Sequence, residues 1–269
     1  MIANVLSIAG SDPSGGAGIQ ADIKAISANG AYAMAALTAL TAQNTTGVTG
    51  VHLVPPAFVA DQIKAVFDDV SVSAVKVGMI ANADIAAAVA DALQEHRGLP
   101  IVLDPVMIAK GGAPLLEDDA IETVRKKLLP LASVITPNLP EAARLLDRGV
   151  ATSRDEIAQQ AQALLGLGAT SALVKGGHLE TDESPDCLAT NEGITWFEGS
   201  RTATKNTHGT GCTLSSALAA HLGQGKPING AVGEAKAYVT EAIASADDLS
   251  VGHGHGPTHH FARLWRNLT

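Results

Sequence analysis

The chain has 269 residues, of which 46% are hydrophobic, 17% are charged and 3% are aromatic. This composition excludes a disordered chain and predicts one sizeable core of aliphatic side chains, because aromatic residues are scarce. The 27 acidic and 18 basic residues leave a net charge of −9, which argues against a nucleic-acid groove, since such grooves neutralise phosphates with Lys and Arg. A phosphate site in this protein must therefore be local.

Short apolar runs alternate with longer segments of helical periodicity along nearly the whole chain. This is the pattern of crossover units that feed a parallel sheet. In the first part of the chain it predicts a strand at residues 4–9, a helix at 18–28 and a second buried strand at 33–40. An edge extension at residues 47–54 and a helix at 58–67 follow.

The same alternation continues to the last third of the chain. Strands are predicted at residues 74–79, 101–104, 134–136 and 172–175, with helices that begin near Asp84, Asp118, Glu141 and Thr213. Residues 187–201 predict an antiparallel hairpin at the edge of the sheet, and two helices are expected at 213–222 and 228–244. Because no linker or repeat divides the chain, we expect a single domain over residues 1–269.

Cysteine usage and hydropathy favour the cytoplasm. Cys187 and Cys212 are too few for a disulfide-stapled secreted domain. The first ten residues lack the basic start of a signal peptide, and the longest uncharged stretch, residues 31–42, is shorter than the ~18 residues that a membrane span requires. We therefore expect a cytoplasmic protein without a membrane or nucleic-acid partner.

The first predicted strand leads into a glycine-rich turn at residues 10–18. Its glycines match a variant of the dinucleotide-binding fingerprint, but no carboxylate stands between Asp22 and Asp61, where that fingerprint needs a ribose-binding residue. A nicotinamide or flavin site is therefore not favoured over a tight helix start. The Gly225-Lys226 pair is followed by Pro, which excludes a Walker-type P-loop.

A second glycine-rich corner, residues 206–212, opens an apolar helix. Gly209 and Gly211 flank Thr210 and leave backbone N–H groups open, and the helix start adds partial positive charge, so an anion can be held without basic side chains. Cys212 falls in the first turn, where the helix dipole is expected to lower its pKa. The cysteine is either functional or a small packing residue, and a cysteine-hydrolase arrangement with a nearby His is not favoured.

Polar residues follow several of the predicted strands. Asp104, Asn138 and Glu141 stand at successive strand ends, where carboxylates can hold a hydrated magnesium ion. Turn and cap chemistry explains the same residues equally well, because Asp before Pro and Asn-x-Pro-Glu before a helix are common local signals. Lys175 ends an apolar strand beside a flexible Gly-Gly loop, which favours a phosphate partner over a solvated surface.

Six segments of the chain match, in order, the motifs of one enzyme family: residues 9–22, 41–45, 104–107, 136–142, 174–178 and 208–212. Through them the chain resembles the hydroxymethylpyrimidine and phosphomethylpyrimidine kinases of thiamine biosynthesis, within the ribokinase-like superfamily. The resemblance implies an α/β fold with a doubly wound, mostly parallel central sheet, helices on both faces and a small edge hairpin. It also implies ATP and Mg²⁺ as cofactors and assembly as a homodimer.

The resemblance assigns roles to particular residues of this chain. It places ATP phosphates at Thr210, Gly209, Gly211 and Lys175, and a metal ion at Asp104, Glu141 and Asn138. It places the pyrimidine at Gln43, Asp22, Ala17, Met79 and Val106. Cys212, Gly209, Gly211 and Lys175 would carry the catalysis. Sugar-kinase relatives have Asp at the position of Cys212, and a thiol would tolerate an acceptor that already bears a phosphate, which a carboxylate would repel.

The expected reaction is ATP-dependent phosphorylation of 4-amino-5-hydroxymethyl-2-methylpyrimidine and then of its monophosphate. A pyridoxal or pyridoxine kinase of the same family is the nearest alternative. A non-catalytic vitamin-binding module is a remote one, which magnesium-dependent ADP release on adding substrate would exclude. The histidine-rich stretch at residues 253–260 lacks a continuous His run and favours a loop over a metal site.

Overall fold

An eight-stranded sheet forms the centre of this computed structural model, which describes residues 1–107, 118–179 and 182–265. Its strands in the described residues are β1 (Asn4–Ala9), β2 (Tyr32–Leu37), β5 (Ala74–Val77), β6 (Ile101–Leu103), β7 (Val134–Ile135), β8 (Ala172–Lys175), β9 (Asp186–Thr190) and β10 (Gly193–Phe197). They are ordered β10-β9-β8-β7-β6-β5-β1-β2. The pairs from β8 to β2 are parallel, and β9 and β10 form the predicted antiparallel hairpin at one edge. The predicted fold class is therefore confirmed.

Helices cover both faces of the sheet. Those described are α1 (Gly18–Ala28), α2 (Pro56–Asp69), α3 (Ala83–Gln94), α4 (Asp118–Thr123), α5 (Leu139–Leu146), α6 (Arg154–Leu165), α7 (Thr210–Gly223), α8 (Ile228–Ala244) and α9 (Ala262–Trp265). Alternate residues of each strand face opposite layers, so Val5 belongs to the core cluster that includes residues of α1, α7 and α8, whereas its neighbour Leu6 belongs to the cluster that includes residues of α2, α3 and α6. None of the described helices has the length and apolar character needed to cross a membrane.

The predicted strand at residues 33–40 is divided in two, and that prediction is wrong. The buried Thr38 hydroxyl donates to the Met79 carbonyl at 2.6 Å, and the chain leaves the central sheet there. A separate strand, β3 (Ala39–Asn44), pairs antiparallel with β4 (Gly47–Leu53). Residues 47–54 are therefore not an edge extension of the main sheet but one arm of a hairpin that stands beyond it.

Helix α6 has no counterpart among the predicted elements, although the sequence carries a signal for it. The Ser153 hydroxyl accepts a hydrogen bond from the Glu156 N–H at 3.3 Å and caps the helix start. A Ser followed three residues later by Glu is a recognised beginning of a helix. The apolar positions Ile157, Ala161 and Leu164 then bury one face of α6 against the sheet.

Candidate active site

A cleft of about 830 Å³ lies at the carboxyl ends of the parallel strands. The turns after β1, β5, β6, β7 and β8 line it, together with the start of α7. Open α/β sheets bind ligands at this edge because the loops there converge and helix N-termini point toward it. Gln43 of the β3–β4 hairpin, the segment that follows β10 and residues on α8 also line it.

The start of α7 is shaped by glycine. Gly209 has φ of 76°, and a Cβ at that position would lie 1.8 Å from the Gly16 carbonyl oxygen, so no other residue fits there without moving the first glycine turn. A Cβ at Gly211 would lie 3.5 Å from Lys175 Nζ. The Thr210 hydroxyl donates to the Thr207 carbonyl at 2.8 Å, which holds the corner in shape. The open backbone at Gly211 therefore faces the lysine.

Lys175 forms an ion pair with Asp104 at 3.0 Å, beside the start of α7. Burial alone would raise the pKa of the Asp104 carboxyl, but Lys175 and Lys76 lower it below its usual range. Burial alone would lower the pKa of Lys175, but Asp104 and Glu141 raise it. Both groups are therefore charged at neutral pH. The structure brings together the lysine, the carboxylate and the glycine corner that the sequence predicts for phosphate transfer.

Asn138 and Glu141 form a capping box at the start of α5. The Asn138 side-chain oxygen accepts from the Glu141 N–H at 2.9 Å, and the Glu141 carboxylate accepts from the Asn138 N–H at 2.8 Å. Both residues also line the cleft. Burial raises the pKa of Glu141 to about 7, with Lys175 opposing this effect and Asp104 adding to it. The cap interpretation is thus confirmed, and it leaves the carboxylate at the wall of the cleft.

The oxygen atoms at this wall fit a magnesium ion. Asp104 and Glu141 offer carboxylates within one cleft, and Mg²⁺ needs only one or two protein oxygens because it keeps its waters and binds substrate phosphates. Within residues 1–107, 118–179 and 182–265, no three His, Cys, Asp or Glu side chains cluster as a dedicated metal cage. Asp104 and Glu141 are therefore the residues that would hold such an ion.

The expected lowering of the Cys212 pKa is wrong. Burial raises the pKa of the thiol to about 11, although the charge of Lys76 and a hydrogen bond from the Gly18 N–H act to lower it. Removal of water from the thiolate therefore outweighs the helix N-terminus. At neutral pH the Cys212 side chain is an uncharged thiol, and without a change in its surroundings it is not a base.

Asp22 lies beneath the cleft instead of lining it, so the expectation that it contacts a substrate does not fit the structure. Its carboxylate is fully buried and accepts hydrogen bonds from Lys76 Nζ at 2.8 and 2.9 Å. The hydroxyls of Ser7 and Ser216 also donate to it, at 2.6 and 2.8 Å. These four residues link β1, β5, α1 and α7, which carry both glycine corners.

The other residues expected at the pyrimidine all line the cleft: Ala17, Gln43, Met79 and Val106. Lys76 is a cleft residue that the sequence analysis does not identify, although a charge inside the apolar run Ala74–Val77 is a usable signal. Asp12 is a second such residue, and its carboxylate lies 2.8 Å from His208 Nε2. This contact joins the first glycine turn to the second.

A segment near the end of the chain, residues 252–256, fastens the β3–β4 hairpin to the second glycine corner. The Gly254 N–H donates to the Thr45 hydroxyl at 3.2 Å, and the His255 N–H donates to the Thr45 carbonyl at 3.0 Å. The Gly256 carbonyl accepts from the His208 N–H at 3.0 Å. A Cβ at Gly254 would lie 2.0 Å from the Thr45 oxygen, so the close approach depends on glycine.

Three proteins and one family model show what this chain resembles. The model described as phosphomethylpyrimidine kinase matches residues 12–259. A hydroxymethylpyrimidine/phosphomethylpyrimidine kinase of Salmonella typhimurium is 55% identical over 97% of this chain and 98% of its own, and the Escherichia coli K12 protein of the same description is 53% identical with the same coverage. The crystal structure of phosphomethylpyrimidine kinase from Clostridium difficile superimposes with a TM-score of 0.80 at 41% identity, covering 90% of this chain and 99% of that one.

A pyridoxal kinase has a similar backbone. The ADP complex of the Bacillus subtilis enzyme superimposes with a TM-score of 0.90, covers 98% of this chain and 100% of its own, and shares 34% sequence identity. The pyrimidine kinases share more of the sequence, at 53% to 55% identity over nearly the full length. The family match and these identities together show that the chain belongs to the phosphomethylpyrimidine kinase family and is a kinase.

Proposed function

We propose that the protein transfers a phosphoryl group from ATP to 4-amino-5-hydroxymethyl-2-methylpyrimidine and then to the resulting monophosphate. The observation that carries this function is the open glycine corner of α7, which faces the Lys175–Asp104 pair across a cleft that Gln43 also lines. Such a corner binds phosphates through backbone N–H groups, and an amide suits an aminopyrimidine because it offers both a donor and an acceptor. The relatives described above bear names that include both reactions.

In the first transfer, a bond forms between the 5-hydroxymethyl oxygen and the γ-phosphorus, and the bond to the bridging β,γ-oxygen breaks. Lys175 and the N–H groups of Gly211 and Cys212 stabilise the charge on the transferring group. A magnesium ion at Asp104 and Glu141 supplies further charge neutralisation when it is bound. Phosphoryl transfer proceeds through a loose transition state, so the hydroxyl proton can pass late to a phosphate oxygen, and a neutral Cys212 thiol needs only to hydrogen-bond the acceptor.

The second transfer requires no proton removal, because the oxygen of the acceptor phosphate is already anionic near neutral pH. An uncharged Cys212 accommodates this acceptor, and the raised pKa of the thiol supports that role. One cleft thereby serves a neutral and a charged acceptor in turn.

Product mass tests the proposed function directly. Incubation with ATP, Mg²⁺ and the hydroxymethylpyrimidine is expected to add one and then two phosphoryl groups to the pyrimidine, with ADP released. Pyridoxal serves as the rival acceptor in a parallel assay, because a pyridoxal kinase shares this backbone. A higher kcat/KM for pyridoxal than for the pyrimidine would favour the rival function.

Replacing Cys212 with Asp is expected to slow the second phosphorylation more than the first. The added carboxylate repels an acceptor that carries a phosphate but not a neutral alcohol. Single-step assays with each acceptor at saturating ATP measure the two effects separately, and Cys212→Ser serves as the uncharged control. Equal losses for both acceptors in the Asp variant would contradict this account.

A homodimer and a reducing location complete the proposal. Large apolar side chains are exposed on the β3–β4 hairpin and the adjacent α2, namely Leu40, Val51, Leu53 and Phe58. A patch of this kind supports contact with a second copy. Sedimentation equilibrium is expected to give twice the mass of one chain, and Leu53→Lys is expected to shift the measured mass toward that of a single chain.

The two free thiols support a reducing compartment such as the cytoplasm.

A further inference from the structure

The side-chain amide of Gln43 lies between two hydrogen-bonding groups. Its Nε2 atom is placed 3.4 Å from His208 Nε2, and its Oε1 atom is placed 3.2 Å from the Thr41 hydroxyl oxygen. An amide oxygen only accepts and an amide nitrogen only donates, yet the two ends have similar size, and a 180° rotation exchanges them. The hydrogens on the two neighbours therefore decide which end points where.

His208 presents a hydrogen. Its Nε2 atom lies 2.8 Å from the Asp12 carboxylate, which also accepts from the N–H and hydroxyl of Ser14 and the N–H of Ala17. Burial alone would raise the pKa of Asp12, but the hydrogen bonds from His208 and Ser14 lower it to about 2. An ionised carboxylate only accepts, so Nε2 carries the hydrogen and donates to Asp12. A ring nitrogen that carries a hydrogen cannot accept one from the Gln43 amide.

Thr41 presents a lone pair. Its hydroxyl has one hydrogen, and the Ser11 carbonyl oxygen lies closer, at 2.9 Å, than the Gln43 amide at 3.2 Å. A hydroxyl that donates to the carbonyl remains an acceptor toward its other neighbour. Both neighbours therefore favour the amide rotated by 180° from this placement, with the Gln43 oxygen toward the His208 ring and the Gln43 nitrogen toward the Thr41 hydroxyl.

We propose that His208 and Thr41 are positioning residues that fix the orientation of the Gln43 amide and so make the cleft distinguish a 4-aminopyrimidine from a 4-oxopyrimidine. This inference rests on the proposed function. A 4-amino group beside a ring nitrogen presents a donor and then an acceptor, whereas the 4-oxo form presents an acceptor and then N–H. An amide held in one orientation matches one of these patterns and opposes the other. An amide that rotates freely matches both.

The test compares kcat/KM for the hydroxymethylpyrimidine and for its 4-oxo analogue with ATP as donor. In the wild-type enzyme the amino compound is expected to be preferred by at least about 100-fold. Thr41→Val keeps the shape of Thr41 and removes its hydroxyl, and His208→Leu removes the ring N–H. Each is expected to reduce the preference about tenfold, equivalent to about 1.4 kcal/mol at 25 °C. In Thr41→Val, KM for ATP is expected to stay near the wild-type value, because Thr41 lies outside the glycine corner.

Conservative variants and a distant control separate orientation from structure. Thr41→Ser keeps the hydroxyl and His208→Gln keeps a side-chain N–H, so both are expected to retain the preference. His96→Gln alters a histidine between α3 and β6, at the amino ends of the parallel strands and outside the cleft, and is expected to leave kcat/KM for both acceptors unchanged. If His208→Leu does not fold, Thr41→Val carries the test, because Thr41 is outside the glycine corner.

Two outcomes would be contrary and are distinguishable. A wild-type enzyme that fails to phosphorylate the aminopyrimidine would overturn the proposed function itself. A wild-type enzyme that phosphorylates it, with Thr41→Val slowing both acceptors equally and leaving the preference unchanged, would overturn only the assignment of His208 and Thr41. A lower preference for the amino compound in Thr41→Val, with the wild-type preference kept in Thr41→Ser, would support the assignment.

Discussion

Replacing Asp22 with Asn is expected to lower the free energy of unfolding by about 3–5 kcal/mol, because it leaves the Lys76 ammonium buried without a countercharge. The carboxylate accepts from Lys76, Ser7 and Ser216, and both members of the ion pair are fully buried. Urea unfolding followed by circular dichroism measures the change. Activity is expected to fall as well, since the same network holds the two helices that carry the glycine corners.

Two further variants make this expectation specific. Asp68→Asn removes the partner of Lys64 in an exposed i,i+4 pair on α2, and it is expected to leave the unfolding midpoint nearly unchanged. The double replacement Asp22→Leu with Lys76→Met removes both charges and is expected to recover most of the lost stability. A loss below about 1 kcal/mol in Asp22→Asn would contradict the role assigned to the pair.

Replacing Gly211 with Ala is expected to lower kcat by about 10² to 10³ without loss of stability. The new methyl group meets Lys175 Nζ at 3.5 Å and Asp104 Oδ2 at 3.6 Å, which are ordinary contacts, so the protein accommodates it. Helical Ala is favoured over Gly by up to about 1 kcal/mol, so the unfolding free energy is expected to stay equal or rise. The methyl nevertheless takes up space between the glycine corner and the Lys175–Asp104 pair, where the proposed function places the phosphates.

Steady-state kinetics and thermal unfolding of the same preparation test this pairing of effects. Gly233→Ala is the matched control, because it adds a methyl inside α8 whose nearest neighbour is Phe197 at 3.7 Å. It is expected to alter neither kcat nor KM for ATP. A Gly211→Ala enzyme with wild-type kcat would show that the phosphates bind elsewhere.

The parts of the site that follow from local sequence were predictable. Gly209 and Gly211 form one short segment with the helix that they open, and Lys175 directly ends a strand. Asp22 was not predictable as a buried partner of Lys76, because these residues are 54 positions apart and only the folded sheet brings them together. The prediction of a lowered Cys212 pKa was wrong for a related reason. The sequence shows that the thiol lies at a helix start but not how much water the fold removes around it.

Residues 252–256, which fasten the β3–β4 hairpin beside His208, have a consequence for synthesis of the protein. All described lining residues of the cleft lie at or before Ile243, so a nascent chain that has emerged as far as α8 already contains them. The contacts to Thr45 and His208 come later. A ribosome-bound chain at that stage is expected to have an assembled sheet but an unanchored hairpin, and to acquire its acceptor site only after residues 252–256 emerge and dock on Thr45 and His208.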